Sequence, residues 1–204
     1  YINHERYEIM KEDIQLGKRK FYGGLTLGSI GCFQSHMNIY KHMIDNNVPY
    51  AIIFEDDIKI DLSKDEFWER IKALEIPQDT DYFLLSATYF DWLKEIYPKS
   101  HTATLGRFTG TYAYIITNKG AQILHKYLIP LKYQIDFQIS ILMKAGLIKV
   151  YGYVGPKIFN HDTATFGTSI QDINCKDGCD MYDLDAEAET IKTVKETIEG
   201  FSFN

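Results

Sequence analysis

Cysteine is scarce in this 204-residue chain: three residues, Cys32, Cys175 and Cys179, do not make a disulfide framework. Cys32 lies in an apolar helical stretch and reads as a buried thiol. Cys175 and Cys179, with no second pair nearby, read as free thiols, although their spacing also allows pairing or a metal. Long apolar runs are absent too, so nothing in the sequence spans a bilayer as a helix. Basic charge is outweighed, with 22 Lys and Arg against 28 Asp and Glu and a net charge of −6. Nonspecific nucleic-acid binding needs clustered cations to displace counterions, and this balance argues against it. Tryptophan is rare, at 2 residues against 15 Tyr and 12 Phe. Rings with a polar tip build cores and also suit a sugar or nucleotide cleft.

What is present is globular: 45% hydrophobic and 25% charged residues, enough chain for one ordinary domain over residues 1–204. Leu27, Ile30, Phe33, Met37, Tyr40 and Ile44 recur at helical spacing, predicting a helix from about Thr26 or Ser29 to Asp45. Tyr50–Phe54 is apolar on both faces and is expected as a central, doubly covered strand. Ser63 caps an expected helix through Leu74. Further strands are expected at Tyr82–Ser86, Ala113–Thr117 and Ile148–Val154, and further helices from Asn118 to Leu128 and from Asp136 to Ala145. Residues 172–189 form an acidic connector, and Ile191, Val194 and Ile198 mark a C-terminal amphipathic helix. Strands alternating with helices make the chain α/β.

The sharpest chemical feature is the apolar strand that stops at Glu55-Asp56-Asp57. Ligands of open α/β sheets sit beyond strand carboxyl ends. Adjacent carboxylates repel one another unless a cation neutralises them, and Mg²⁺ or Mn²⁺ prefers such oxygen donors. A solvated acidic turn is the plain alternative. A second constellation, Gly28-Ser29-Ile30-Gly31-Cys32-Phe33-Gln34-Ser35-His36, offers helix-start N–H groups to an anion. Taken alone it reads better as a helix packed tightly at Gly31 with His36 buried and hydrogen-bonded in the core. Gly110-Thr111 would shape a pocket wall or an ordinary turn. Asp136 stands at a helix start as an N-cap or a general base. His161 follows the late strand as a third metal ligand or a surface residue.

In this order the segments resemble glycosyltransferase family 25, which includes bacterial lipooligosaccharide galactosyltransferases and collagen hydroxylysine sugar transferases. The resemblance rests on Leu25-Thr-Leu-Gly-Ser-Ile-Gly-Cys-Phe-Gln-Ser-His36, Ile52-Ile-Phe-Glu-Asp-Asp57 and Gly110-Thr-Tyr-Ala-Tyr-Ile-Ile-Thr-Asn-Lys-Gly-Ala121, and covers roughly Leu25 to Ile170. It implies a GT-A-like open mixed sheet flanked by helices, a UDP-sugar donor, Mn²⁺ or Mg²⁺, and inverting transfer of galactose or glucose to a hydroxyl on a glycan or hydroxylysine. Asp57 would be the principal metal ligand, with Glu55 and His161 as further candidates. Gly28, Ser29, Ser35, His36, Glu55, Asp56, Gly110 and Thr111 would face the donor, and Asp136 would be the base.

The chain departs from the family pattern at Ser29, where Glu is common, and at His161, where Gln is frequent. The family's first strand is not recognised in the sequence, which leaves two expectations: the chain is a fragment, or it lacks that strand. The resemblance implies a cytoplasmic setting for a bacterial or viral chain and the endoplasmic reticulum lumen for a collagen-modifying one. A Mg²⁺-dependent phosphohydrolase or nucleotidyltransferase, and a non-catalytic binding domain of the same fold, are the alternatives. No phosphate-binding Gly-Lys loop supports the former.

Overall fold

Ile30, Phe33, Met37, Tyr40 and Met43 fall on one face of helix α1 (Leu27–Asp45), and all five are buried. That face packs on a sheet whose strands supply alternate side chains to two cores. The structure, a computed structural model, describes residues 27–87, 89–161 and 184–201. After α1 come β1 (Tyr50–Phe54), β2 (Ile58–Lys59), α2 (Lys64–Lys72), β3 (Tyr82–Ser86), β4 (Tyr89–Tyr97), β5 (Thr102–Thr109) and β6 (Ala113–Thr117). Helices α3 (Asn118–Tyr127) and α4 (Ile135–Lys144), strands β7 (Val150–Tyr153) and β8 (Asn160–His161), and helix α5 (Leu184–Phe201) complete the order.

Six strands form one open mixed sheet in the order β1-β6-β3-β7-β5-β4. Among the described residues only the β3–β7 pair is parallel; its register sets Tyr82 against Val150 and Leu84 against Gly152. The short β2 and β8 pair antiparallel in a separate sheet. This is the expected α/β architecture, a GT-A-like mixed sheet flanked by helices.

β3 shows why the sheet is covered on both faces. Tyr82 and Leu84 enter the larger core with Phe33, Tyr40, Leu124 and Ile139, whereas Phe83 and Leu85 enter a smaller one with Phe67, Ile158 and Phe159. The period-2 alternation of a strand sends successive residues to opposite faces, so a continuous apolar run needs cover on both. β1 corrects one expectation. Its two faces do contact both cores, through Ala51 and Ile53 on one side and Ile52 on the other. Among the described residues, however, it pairs only with β6 and lies at the end of the sheet, with Tyr50 and Phe54 exposed. Among the described residues the middle of the sheet is held by β3 and β7.

The helix starts are chemically specified. Ser63 accepts from the Glu66 N–H, and the Glu66 carboxylate accepts from the Ser63 N–H, a reciprocal capping box. Thr117 caps α3 by accepting from the Gly120 N–H. α5 lies against α4, with Val194 on the larger core and the Thr190 hydroxyl 3.3 Å from that of Tyr133.

Candidate active site

β1 and β6 end together, with Phe54 opposite Ala113. One residue further, the Glu55 N–H donates to the Tyr112 carbonyl at 2.9 Å, carrying the pairing to the edge of the acidic triplet. Gly110 turns the chain into this segment with φ 90°, a conformation that favours glycine. Thr111, the next residue, donates its hydroxyl to Glu55 Oε1.

His36 reaches the same oxygen from the buried face of α1. Its Nε2 lies 3.2 Å from Glu55 Oε1, and its Nδ1 lies 2.6 Å from the Tyr114 hydroxyl. The Tyr40 hydroxyl stands 3.2 Å behind that of Tyr114. Both tyrosines and His36 are buried, while the Glu55 side chain remains 15% exposed at the surface end of the chain. Tyr82 stacks on Tyr114 with ring centroids 4.4 Å apart, which leaves the Tyr114 ring little freedom.

Cys32 sits one helical turn before His36, and the potential ligand atoms of Cys32, His36 and Glu55 all lie within 4.8 Å of one another. These types bind transition metals, and here they stand within a set of hydrogen bonds. Burial, followed by the nearby Glu55, Asp136 and Asp57 charges, pushes the Cys32 thiol up to about 12, against a partly compensating hydrogen bond from Thr111. A thiol is a poor ligand until it ionises. Both His36 nitrogens and Glu55 Oε1 already face hydrogen-bond partners. The trio is a hydrogen-bonded wall. Asp56 is exposed and Asp57 half-buried in the turn after β1, and these carry the oxygen donors a hard divalent cation takes.

Asp136 joins from α4. Its Oδ2 accepts the Gly110 N–H at 2.6 Å and its Oδ1 accepts the Phe137 N–H at 2.8 Å. Burial raises its pKa, the two main-chain hydrogen bonds oppose that shift, and Glu55 adds to it. At 8% exposure, this carboxyl anchors the Gly110–Thr111 turn to α4.

The fold thus brings together His36, Glu55, Gly110, Thr111 and Asp136 from four distant segments. Gly28 and Ser29 occupy the first turn of α1, with Ser29 buried. Ser35 is exposed and donates to the Gly31 carbonyl of its own helix at 3.0 Å, apart from the cluster. Gly31 corrects the expectation of tight packing: among the described residues it is exposed, and a Cβ there would meet nothing within 4 Å. The main chain of His161 pairs with Ile58, the residue after Asp57, but its side chain lies outside the described residues, as do Cys175 and Cys179. Sequence reasoning missed Tyr114 and gave Tyr40 only a core role. The available signal was the hydroxyl itself, since a buried tyrosine O–H usually finds a partner.

Residues 1–139 match the family model described as Glycosyltransferase family 25 (LPS biosynthesis protein). The chain belongs to glycosyltransferase family 25. The matched span contains His36, Glu55 to Asp57, Gly110, Thr111 and Asp136, and stops short of His161. Similar family proteins include the probable inactive glycosyltransferase 25 family member 3 of Bos taurus, 25% identical over 60% of this chain and 22% of that protein. Procollagen galactosyltransferase 1 of Danio rerio is 24% identical over 49% of this chain and 17% of its own length. The lipooligosaccharide biosynthesis protein lic2B of Haemophilus influenzae is 28% identical over 58% of this chain and 48% of its own length. The matches span less than a quarter of the vertebrate proteins and about half of the bacterial one.

Proposed function

We propose that this family 25 chain transfers a hexose, galactose or glucose, from a UDP-sugar to an acceptor hydroxyl on a glycan or hydroxylysine, with inversion and with Mn²⁺ or Mg²⁺. The observation that carries the reading is the convergence of His36, Thr111 and Glu55 beside the Asp56–Asp57 turn, at the ends of β1 and β6. Family membership supports the transferase class, and the names of the relatives motivate the choice of donor and acceptor.

Asp57 and Asp56 would hold the cation, because their turn offers carboxylate oxygen outside the hydrogen-bonded wall. When bound, the ion supplies positive charge against the diphosphate of the departing UDP. The protein's own part is orientation. Glu55 is held by His36 and Thr111 and would line the donor site, and among the described residues nothing lies against Gly31, which would leave room beside the first turns of α1 for a phosphate-bearing group. The resemblance implies Asp136 as the base. Its burial and its two main-chain N–H partners favour a different assignment, in which it holds the Gly110–Thr111 turn against Glu55.

A thermal-shift titration with UDP, with and without Mn²⁺, tests the reading on the wild-type chain and on Asp57→Asn. A ligand that binds only the folded state raises the melting temperature according to its affinity. The expected result is a UDP-induced rise that requires Mn²⁺ and disappears both with chelator and in the variant. With a UDP-hexose and an acceptor, Asp57→Asn should lower turnover by about 10²-fold, the usual size of a lost electrostatic contribution. A folded wild type that shows no Mn²⁺-dependent UDP shift belongs with the second reading, a binding domain without catalysis. The relative named as inactive makes that alternative concrete.

A further inference from the structure

We propose that Tyr114, backed by Tyr40, is a positioning residue for the candidate donor site: it fixes the His36 ring in the Nε2–H form and thereby aims Glu55. The proposal rests on the transferase reading of Glu55, but its physical content does not depend on any ligand.

The direction of each hydrogen bond follows from what the partners can do. An ionised carboxylate only accepts, so Glu55 Oε1 requires a hydrogen from His36 Nε2 at 3.2 Å as well as the one from Thr111. In a neutral imidazole the other nitrogen is then an acceptor, and the Tyr114 O–H, 2.6 Å from Nδ1, must donate. That leaves the Tyr114 oxygen to accept from the Tyr40 O–H at 3.2 Å. One order, Tyr40 to Tyr114 to His36 to Glu55, gives every hydrogen an acceptor, and the Thr111 oxygen, 3.4 Å from His36 Nε2, stands as a second and longer acceptor beside Glu55. The opposite tautomer would set the bare Nε2 lone pair against the carboxylate in a buried place, where an unsatisfied polar group is most costly.

The rings are also held mechanically. Tyr114 is stacked on Tyr82 and tilted against His36 at a centroid distance of 5.6 Å, and Tyr40 and Tyr114 show no exposed surface. The Tyr114 hydroxyl therefore cannot swing to water when its partner moves. Tyr114 has no exposed surface, so it cannot meet a bound donor directly. Its effect passes through His36.

The experiment is side-chain nitrogen and carbon NMR on the full chain at one fixed pH, with the His36 signals identified by their loss in His36→Gln. In the wild type, Nδ1 should resonate as an unprotonated acceptor and Nε2 as a protonated donor. Tyr114→Phe should shift Nδ1 and Nε2 toward tautomer averaging and displace the Glu55 carboxyl carbon. Tyr40→Phe, which leaves the Tyr114 hydroxyl in place, should move the same signals by less. Tyr151→Phe removes a hydroxyl bonded to Asp79 from a ring packed on the smaller core, not the core of Tyr40 and Tyr114, and should leave them unmoved. A wild-type ring protonated at Nδ1, singly or together with Nε2, overturns the proposal, as do unmoved His36 and Glu55 signals in folded Tyr114→Phe. If that variant does not fold, the wild-type spectrum and Tyr40→Phe decide alone. Failure to bind UDP would count against the transferase reading and leave these spectra unaffected.

Discussion

Asp136 carries opposed influences, with desolvation raising its pKa against two main-chain hydrogen bonds that lower it, and the raising influence wins. A carboxyl whose folded pKa lies above its unfolded value of about 3.9 binds protons more tightly in the folded chain. Stability from this group is therefore greatest at the acid end and is lost as pH rises through the elevated folded value. Asp136→Asn should flatten that part of the pH–stability curve in urea unfolding, while giving up one main-chain hydrogen bond. Identical slopes in the two proteins would show that Asp136 does not titrate as described. Cys32 gives a second residue-scale expectation. With its thiol pushed up to about 12, alkylation mapped by mass spectrometry at mildly alkaline pH should run roughly a thousandfold slower than for a free thiol. Unfolding should remove the protection, and rapid labelling of the native chain would contradict it.

Each helix and strand rests on a few main-chain claims that can be withdrawn one at a time. Gln138 is the clearest: its Oε1 accepts from the Lys132 and Tyr133 N–H groups, and its Nε2 donates to the Leu128 and Pro130 carbonyls. Gln138→Leu strands these groups in the α3–α4 connection and should cost roughly 1–3 kcal/mol in chemical denaturation. Gly120→Ala should cost a similar amount, roughly 1–3 kcal/mol, because the new Cβ would press on the Asp81 carbonyl at the first turn of α3. At this scale much was legible beforehand. Tyr82–Ser86 and Ala113–Thr117 emerge with the expected limits, since short apolar runs between polar residues leave little choice. The β4–β5 hairpin was not anticipated, because register shifts at Asp91/Trp92, Trp92/Lys94 and Glu95/Tyr97 break the alternation that marks a strand. The carboxylates and Thr111 stood out by type and order. Tyr114 did not, because its partner His36 lies 78 residues away and strand alternation places a ring without saying what its hydroxyl meets.

Across the whole molecule, the sheet separates its chemistry from its fastening. Glu55, His36 and Thr111 gather where β1 ends and β6 begins. Asp81 lies at the opposite end of β3, accepting the Lys149 N–H at 2.9 Å and pairing with Lys119 at 2.9 Å. Its main-chain carbonyl also accepts from Thr117, so one residue ties β3 to β6, β7 and α3. Asp81→Ala leaves the Lys149 N–H without this partner and should lower unfolding stability by roughly 1–3 kcal/mol. Lys119 is mostly exposed, so its ion pair adds little to that sum. Under the proposed transferase function, the same variant should leave a Mn²⁺-dependent affinity for UDP unchanged. A matching fall in both quantities would mean that the two ends of the sheet are coupled.

The bulges of β4 have a further consequence, in the behaviour of the protein at high concentration. Among the described residues β4 is the outer strand, and it exposes Trp92, Leu93 and Tyr97. A straight edge with that composition would be a template for strands of neighbouring molecules. The three register shifts bend it out of line, and Asp91, Lys94 and Glu95 put charge along it. Irregularity that hid this strand from sequence periodicity thus also keeps one molecule from recruiting the next.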